Sequence, residues 1–244
     1  SETETPSTDE PVEVTSEEAT EAMTEEPTVE DTEEPAENLQ AVNPLTGLYE
    51  ESPDYLSLPP ALVSISNFPA SGRPQAGLNF SPITFEIAIG EGMTRFLAMF
   101  YGQFPGAVSG QTEGDPPAIG PIRSGRLSYE DIRATYSGFL VMASAWEGVS
   151  TNLNASTSVY GSNASDINSA TVSSDRLIEI AHSEAEGFPG SNFNLEGMSF
   201  YQSPPDGGHA ADKAWVFYSD LNQVQWRFDE ELGAFVRYDV KTDG

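Results

Sequence analysis

Two arginines stand three residues apart in a glycine-containing loop just ahead of a predicted helix. The segment IGPIRSGR, residues 119–126, carries Arg123 and Arg126 with Ser124 and Gly125 between them. Guanidinium groups bind carboxylate or phosphate through paired hydrogen bonds, and the free amides at a helix start add further donors. This spacing predicts a cradle for an anionic group.

A second polar group surrounds a glycine-rich turn earlier in the chain. Glu86 alternates with apolar residues in ITFEIAIG, residues 83–90, and Glu91, Thr94 and Arg95 follow in GEGMTRFLAMF. The chain has ten Lys and Arg against 39 Asp and Glu, so an arginine at the start of an apolar strand is unusual. We expect these residues to join the two arginines of the loop in one polar cluster beside the sheet. The predicted ligand-binding residues are Arg73, Glu86, Glu91, Thr94, Arg95, Arg123, Ser124 and Arg126.

Two other hypotheses account for the same residues. In the first, Arg123 and Arg126 form ion pairs with Glu86, Glu91 or Asp131 and only fix loops to the sheet. In the second, Glu86 or Glu91 serves a cell-wall-acting hydrolase or transferase, which needs two carboxyl groups across one cleft at ~5–10 Å. Neighbouring arginines favour the charged form of a carboxyl group, which disfavours a general acid. Binding is therefore favoured over catalysis, and no catalytic residue is predicted.

Composition excludes several kinds of site. The chain has no cysteine, so disulfides, thiolate metal ligands and a thiol nucleophile are absent. The only histidines are His182 and His209, too few for a multi-histidine zinc centre. No G-x-S-x-G elbow, phosphate loop or dinucleotide fingerprint occurs. We therefore predict no metal site and no cofactor.

The first forty residues carry 15 acidic residues and no Lys or Arg. Such a segment buries too little apolar surface to offset its ordering entropy, so residues 1–42 are predicted to be a disordered tether. An acidic Thr/Pro-rich leader is typical of a link between a membrane anchor and an exported domain. We expect an extracytoplasmic protein that meets the membrane only through an N-terminal lipid anchor absent from this chain. The remaining residues are also acidic, which disfavours nucleic acid as a partner.

The hydrophobic pattern predicts an α+β fold, with a mixed sheet flanked by helices and then a C-terminal antiparallel strand meander. The predicted elements are strands 61–67, 83–90, 94–102 and 138–146, helices 126–136 and 173–185, and meander strands 214–219, 224–229 and 234–240. Ser128 is the expected N-cap of the first helix. Residues 43–200 are predicted to form an N-terminal α+β domain. Residues 201–244 would begin a truncated C-terminal domain, because the chain ends on a turn-forming Asp-Gly pair.

Three motifs together resemble the YerB-like family of bacterial lipoproteins, a domain of unknown function. They are NPLTGL at residues 43–48, RPQAGLNFSPITFEIAIGEGMTRFLAMF at residues 73–100, and IGPIRSGR at residues 119–126. The resemblance implies an exported, lipid-anchored domain without a known reaction. Together with the arginines, it leads us to expect a binding or scaffold module for an anionic cell-envelope component or a protein partner. The family signature corresponds here to Arg73, Pro74, Gly77, Glu86, Glu91, Gly92, Thr94, Arg95, Gly120, Pro121, Arg123, Ser124 and Arg126.

Overall fold

The computed structural model describes residues 41–50, 53–105, 118–187, 198–201, 203 and 206–240. The predicted acidic tether lies outside these ranges except for its last two residues. Residues 39–244 belong to one compact unit. The predicted division of domains after residue 200 stays a prediction.

Ten strands and three α-helices occur in the described part of the chain. The strands are β1 (Ala61–Ser66), β2 (Ile83–Gly90), β3 (Met93–Phe100), β4 (Ala118–Ile119), β5 (Phe139–Met142), β6 (Ser156–Ser158), β7 (Val172–Ser173), β8 (Lys213–Ser219), β9 (Asn222–Asp229) and β10 (Ala234–Val240). The helices are α1 (Ser128–Tyr136), α2 (Glu147–Ser150) and α3 (Ser174–Gly187). Short 3₁₀ turns cover Pro53–Ser57, Ala70–Gly72 and Leu78–Phe80.

A five-stranded mixed sheet forms the centre, in the order β2-β3-β1-β5-β6. Strand β3 runs antiparallel to β1 and β2, whereas β5 runs parallel to β1 and β6. Strands β8, β9 and β10 form a separate antiparallel sheet, and β4 pairs with β7. The predicted α+β class, mixed sheet and C-terminal meander are confirmed.

Strand β3 is apolar at nearly every position because both of its faces are covered. Phe96, Ala98 and Phe100 belong to one buried cluster, to which α3 contributes Leu177. Leu97 and Met99 belong to a second cluster, which contains Tyr129 of α1. Since successive residues of a strand point to opposite faces, the two helices cover opposite sides of the sheet.

A two-residue turn joins β2 to β3 at Glu91 and Gly92. Both residues have positive φ, 53° and 73°, as a type I′ hairpin turn requires. A Cβ on Gly92 would lie 2.5 Å from Ser219 Oγ, at the end of β8. Glycine is therefore needed at position 92 both for the turn and for the approach of the C-terminal sheet.

Several element boundaries differ from the sequence prediction, two of them beside the loop of the two arginines. Leu127, not Ser128, is the N-cap of α1, and it makes no side-chain capping bond. The predicted strand 138–146 ends at Met142, because Ala143 and Ser144 instead form backbone hydrogen bonds with Arg123 and Gly125. This change places the loop of the two arginines beside the end of β5.

Candidate functional site

Glu86 lies in a network of hydrogen bonds on one face of the five-stranded sheet. Its Oε1 accepts from Thr94 Oγ1 at 2.7 Å and from Asn67 Nδ2 at 3.2 Å. Arg237 donates through Nη2 to both carboxylate oxygens, at 3.2 and 3.1 Å. Burial, and then the Glu86 carboxylate, raise the pKa of Tyr218. With side chains only 13% and 20% exposed, Glu86 and Arg237 form a largely desolvated ion pair.

Two further residues close this network into a ring. Arg237 Nη1 donates to Asp239 Oδ1 at 2.5 Å, and Asp239 Oδ2 pairs with Arg73 Nη1 at 2.9 Å. Arg73 Nη2 in turn donates to the backbone and side-chain oxygens of Asn67, at 3.0 Å each. Because Asn67 also donates to Glu86, these five residues form a closed circuit, which we call the Glu86 ring.

The Glu86 ring attaches the C-terminal sheet to the five-stranded sheet. Arg237 lies on β10, while Glu86 lies on β2. Two contacts beside the ring strengthen the attachment. Asn222 Nδ2 donates to Thr94 Oγ1 at 2.7 Å, and Ser219 Oγ donates to the carbonyl of Gly92 at 2.8 Å. The polar residues on this face therefore hold the two sheets together.

Arg95 lies on the opposite face of the same sheet. Its side chain forms hydrogen bonds with the Ser124 carbonyl, at 3.0 Å, and with Tyr129. Arg95 is only 8% exposed, and its Nε is buried without a hydrogen-bond partner. Burial, opposed in part by Tyr129 and reinforced by the charges of Arg126 and Arg123, lowers the pKa of Arg95 to about 10.

Arg123 and Arg126 stand close enough to Arg95 for their charges to affect its pKa. Arg123 is 9% exposed and donates to the carbonyl of Ile167 and to Asn168 Oδ1, the latter at 2.8 Å. Burial lowers the pKa of Arg123 as well. Arg126 is half-buried and donates to the carbonyl of Gly125 at 3.0 Å. We call Arg95, Arg123 and Arg126 the arginine cluster.

No carboxylate forms an ion pair with the arginine cluster in the part of the chain that the structure describes. The ion pairs there involve Arg73, Arg133, Arg176 and Arg237. The Asp166 carboxylate opposes the lowering of the pKa of Arg123, but it forms no ion pair with that residue. The cluster is thus a buried concentration of positive charge in a protein of net charge −29.

The eight predicted site residues are therefore divided between two faces. Thr94 and Arg95 are neighbours on β3, so their side chains point to opposite sides. Arg73, Glu86 and Thr94 lie on the side of the Glu86 ring, and Arg95, Arg123, Ser124 and Arg126 on the other. Glu91 is exposed at the hairpin turn and makes no side-chain hydrogen bond with any described residue. The suggested pairing of Arg123 or Arg126 with Glu86, Glu91 or Asp131 is not found among the described ion pairs.

Sequence reasoning missed four residues that complete these groups. Arg237 and Asp239 supply two of the five residues of the Glu86 ring, and their spacing of two along β10 was the available signal, because it places both on one face. Tyr129 contacts Arg95 from inside α1, and no motif in the sequence singled it out. Asn67 directly follows β1 and had no distinguishing pattern.

An open pocket of about 410 Å³ lies next to the arginine cluster. Arg123 and Ser124 form one wall, and the loop of residues 160–170 forms another, with Tyr160, Asn163 and Asp166 facing the space. The pocket thus combines a cationic wall with hydroxyl, amide and carboxylate groups and one aromatic ring.

Neither a cluster of metal ligands nor a membrane-spanning helix occurs among the described residues. No group of three or more His, Asp or Glu side chains there is arranged to hold a metal ion. None of the helices in those ranges is both long enough and apolar enough to cross a membrane.

Comparison with known proteins identifies the fold and the family. Residues 45–181 match the family described as "Protein of unknown function (DUF3048) N-terminal domain". The crystal structure of the YerB protein from Bacillus subtilis is similar, with a TM-score of 0.62 and 21% sequence identity over 84% of this chain and 69% of that chain. No curated protein matches. Since the family match spans more than half of the residues, this chain belongs to the DUF3048 family.

Proposed function

We propose that this chain is a non-enzymatic binding module that captures the anionic group of a cell-envelope component at the arginine cluster. The observation that carries the proposal is the absence of a described carboxylate partner for three neighbouring arginines, two of them more than nine-tenths buried. A protein partner bearing an acidic group is the other occupant with the same chemistry, and the test below separates the two.

The proposal follows from the energetics of buried charge. Removing a guanidinium group from water is costly unless an anion and good hydrogen bonds compensate. This protein has 39 acidic residues, so a carboxylate partner was readily available to each arginine. The fold provides one for Arg237 and for Arg133. Arginines left without such a partner are suited to an anion that comes from outside.

The local geometry favours phosphate or carboxylate as that anion. The planar guanidinium fork matches both groups through paired hydrogen bonds. The N-terminus of α1 begins two residues after Arg126, and the helix dipole adds positive potential there. Arg95 Nε, buried and without a partner among the described residues, is a further donor in the same cluster.

The alternative hydrolase or transferase receives less support from the geometry. Glu86 is held by Arg237, Thr94 and Asn67 on the far side of the sheet from the arginine cluster. Glu91 is exposed at a hairpin turn. Glu86 is a poor general base, because the uptake of a proton would break its ion pair with Arg237.

We further propose that the protein acts outside the cytoplasm, tethered to the membrane through a lipid anchor that precedes this chain. The acidic, Lys- and Arg-free residues 1–40 support this proposal. Intact cells that carry the natural protein would be treated with an external protease. The expected result is that the protease degrades this protein and leaves a cytoplasmic marker intact. Full protection of the protein in protoplasts would overturn the proposal.

The binding proposal is tested by calorimetric titration of the full chain with inorganic phosphate at low salt. We expect measurable binding that weakens as salt rises, and at least a tenfold loss, about 1.4 kcal/mol, in Arg126→Gln. Arg126 suits this test because its side chain forms a single described hydrogen bond, to the carbonyl of the neighbouring Gly125. Its replacement should therefore disturb the fold little. Arg176→Gln is the matched control, since Arg176 is exposed on α3.

Three outcomes would contradict the proposal. Absence of binding to phosphate, to acetate and to an acidic peptide would remove the anion site. Equal loss in Arg126→Gln and Arg176→Gln would show that binding depends only on overall charge. Binding of an acidic peptide but of no small anion would assign the cluster to a protein partner.

A further inference from the structure

We infer that the ligand of this site is an anionic sugar, with its phosphate or carboxylate group at the arginine cluster and its sugar ring in the adjoining pocket. This inference rests on the proposed function and adds the class of ligand. It is carried by the pocket, whose lining differs chemically from the arginines at its edge.

The pocket has the size and the polar groups that a sugar ring needs. Its volume of about 410 Å³ lies within the range of ~300–1,000 Å³ that is usual for small-molecule sites. Asn163 Nδ2 and Ser124 Oγ donate to no described residue, and Asp166 uses only Oδ1 for an internal bond. These groups provide a donor, a hydroxyl and an acceptor for the hydroxyls of a ligand.

The aromatic ring of Tyr160 supplies the apolar contact. It lines the pocket and is 73% exposed, so most of its surface is open to a ligand. A flat aromatic surface beside hydrogen-bonding groups suits a sugar, which presents C–H groups on one face and hydroxyls around its edge. An isolated small anion would leave this surface unused.

The charges around the pocket indicate how the ligand is oriented. Asp166 lines the pocket and would repel an anionic group placed deep within it. The same carboxylate is a good acceptor for neutral hydroxyls. The anionic group therefore belongs at the arginine end, next to Arg123, and the neutral polyol belongs beside Asp166.

Internal hydrogen bonds fix the pocket wall. Ser169 Oγ donates to the carbonyls of Asn163, at 2.9 Å, and Asp166, at 2.7 Å. Asp166 Oδ1 accepts from the backbone amide of Asn168 at 2.8 Å. Arg123 holds the far end of this loop through Ile167 and Asn168. A preformed wall lowers the ordering cost of binding.

The test compares inorganic phosphate with a panel of hexose 1-phosphates, namely those of glucose, galactose and N-acetylglucosamine, and with glucuronate. At least one sugar ligand is expected to bind the full chain about tenfold tighter than inorganic phosphate. Tyr160→Ala should abolish this advantage without changing phosphate affinity. Tyr201→Ala removes an equally exposed tyrosine that does not line the pocket, and it should behave as the wild type.

The possible failures are distinguishable. If phosphate binds and no sugar ligand binds more tightly, the sugar inference is wrong and the proposed anion site stands. The same conclusion follows if the advantage survives in Tyr160→Ala. If neither phosphate nor any acidic sugar binds, the proposed function is wrong as well. Comparison of the affinity for glucuronate with the affinities for the hexose phosphates shows whether the arginines prefer a carboxylate or a phosphate group.

Discussion

The two faces of the central sheet treat charged side chains in opposite ways. On one face, the Glu86 ring brings two arginines and two carboxylates together in alternation, so that each charge has an opposite neighbour. On the other face, three arginines gather with carbonyl and hydroxyl partners and no described ion pair. Strand β3 contacts both groups, because Thr94 donates to Glu86 and the next residue, Arg95, belongs to the arginine cluster.

This difference teaches that burial alone does not distinguish a structural arginine from a binding arginine. Arg237 and Arg95 are both largely buried, and both approach other polar residues. What separates them is whether the fold provides the opposite charge. Removal of an arginine that is paired with a carboxylate lowers the stability of the protein. A buried arginine without such a partner itself lowers the stability until an anion binds.

The largest predicted effect comes from breaking the Glu86 ring. Arg237→Met leaves the Glu86 carboxylate largely buried without its cation, so the free energy of unfolding should fall by about 3–5 kcal/mol. Urea unfolding of the full chain, followed by circular dichroism, measures this change. The exposed Arg176→Gln is the control and should lose about 0–1 kcal/mol. A loss below 1 kcal/mol in Arg237→Met would mean that the ring is not a stabilising contact.

A smaller effect is expected at Arg123, which anchors the loop of residues 160–170. Arg123→Ala removes the hydrogen bonds to Ile167 and Asn168, and the free energy of unfolding should fall by about 2–3 kcal/mol. The pocket should also lose its wall, so sugar-phosphate binding should disappear together with phosphate binding. Unchanged stability with normal binding would contradict this double role, and the same urea and calorimetric measurements decide it.

The sequence allowed the elements to be predicted well because their apolar patterns are local. The alternation in residues 83–90 and the three aromatic-rich segments near the C-terminus each specify a strand without reference to the rest of the chain. The strand after residue 138 was predicted too long, because its end is set by backbone pairing with Arg123 and Gly125, which is a tertiary contact.

The site was harder to predict than the fold, for a geometric reason. Motif spacing identified Arg95, Arg123 and Arg126, and the structure places all three close together. The same spacing grouped Glu86 with them, although the alternation of β3 sends Thr94 and Arg95 to opposite faces. The true partner of Glu86 is Arg237, which lies 151 positions further along the chain. No local pattern indicates a contact of that separation.

A change of opposite sign is predicted for Arg95. Arg95→Met replaces a buried, unpaired cation with an apolar side chain of similar length, so the free energy of unfolding should rise by about 1 kcal/mol. Tyr129 and the Ser124 carbonyl each keep Ser64 as a partner, at 3.3 Å, which limits the loss of hydrogen bonding. Phosphate binding should weaken more than tenfold in the same variant, a gain in stability at the expense of function.

The matched control for Arg95 is Arg133→Met, in which the Glu130 carboxylate of α1 loses its arginine partner. That variant should lose stability. If Arg95→Met also lost more than about 1 kcal/mol, the arginine cluster would be a structural feature like the Glu86 ring, and its proposed role in binding would need another basis.

The smallest effect concerns pH and the Glu130–Arg133 pair, a compensated arginine on α1, the helix that follows the loop of the two arginines. Burial raises the pKa of Glu130, but hydrogen bonds from Arg133 and Asn154 outweigh it and lower the pKa to about 2, from an ordinary value of 4.5. A lowered carboxyl pKa contributes stability above pH 4.5, and this contribution is lost as the pH falls toward 2. The difference in unfolding free energy between wild type and Glu130→Gln should therefore shrink over that interval. Urea unfolding at a series of pH values measures it, with Glu179→Gln of the exposed α3 pair as control. A difference that stayed constant from pH 5 to 2 would show that Glu130 stabilises α1 by shape and not by charge, leaving the Glu86 ring as the better example of a compensated arginine.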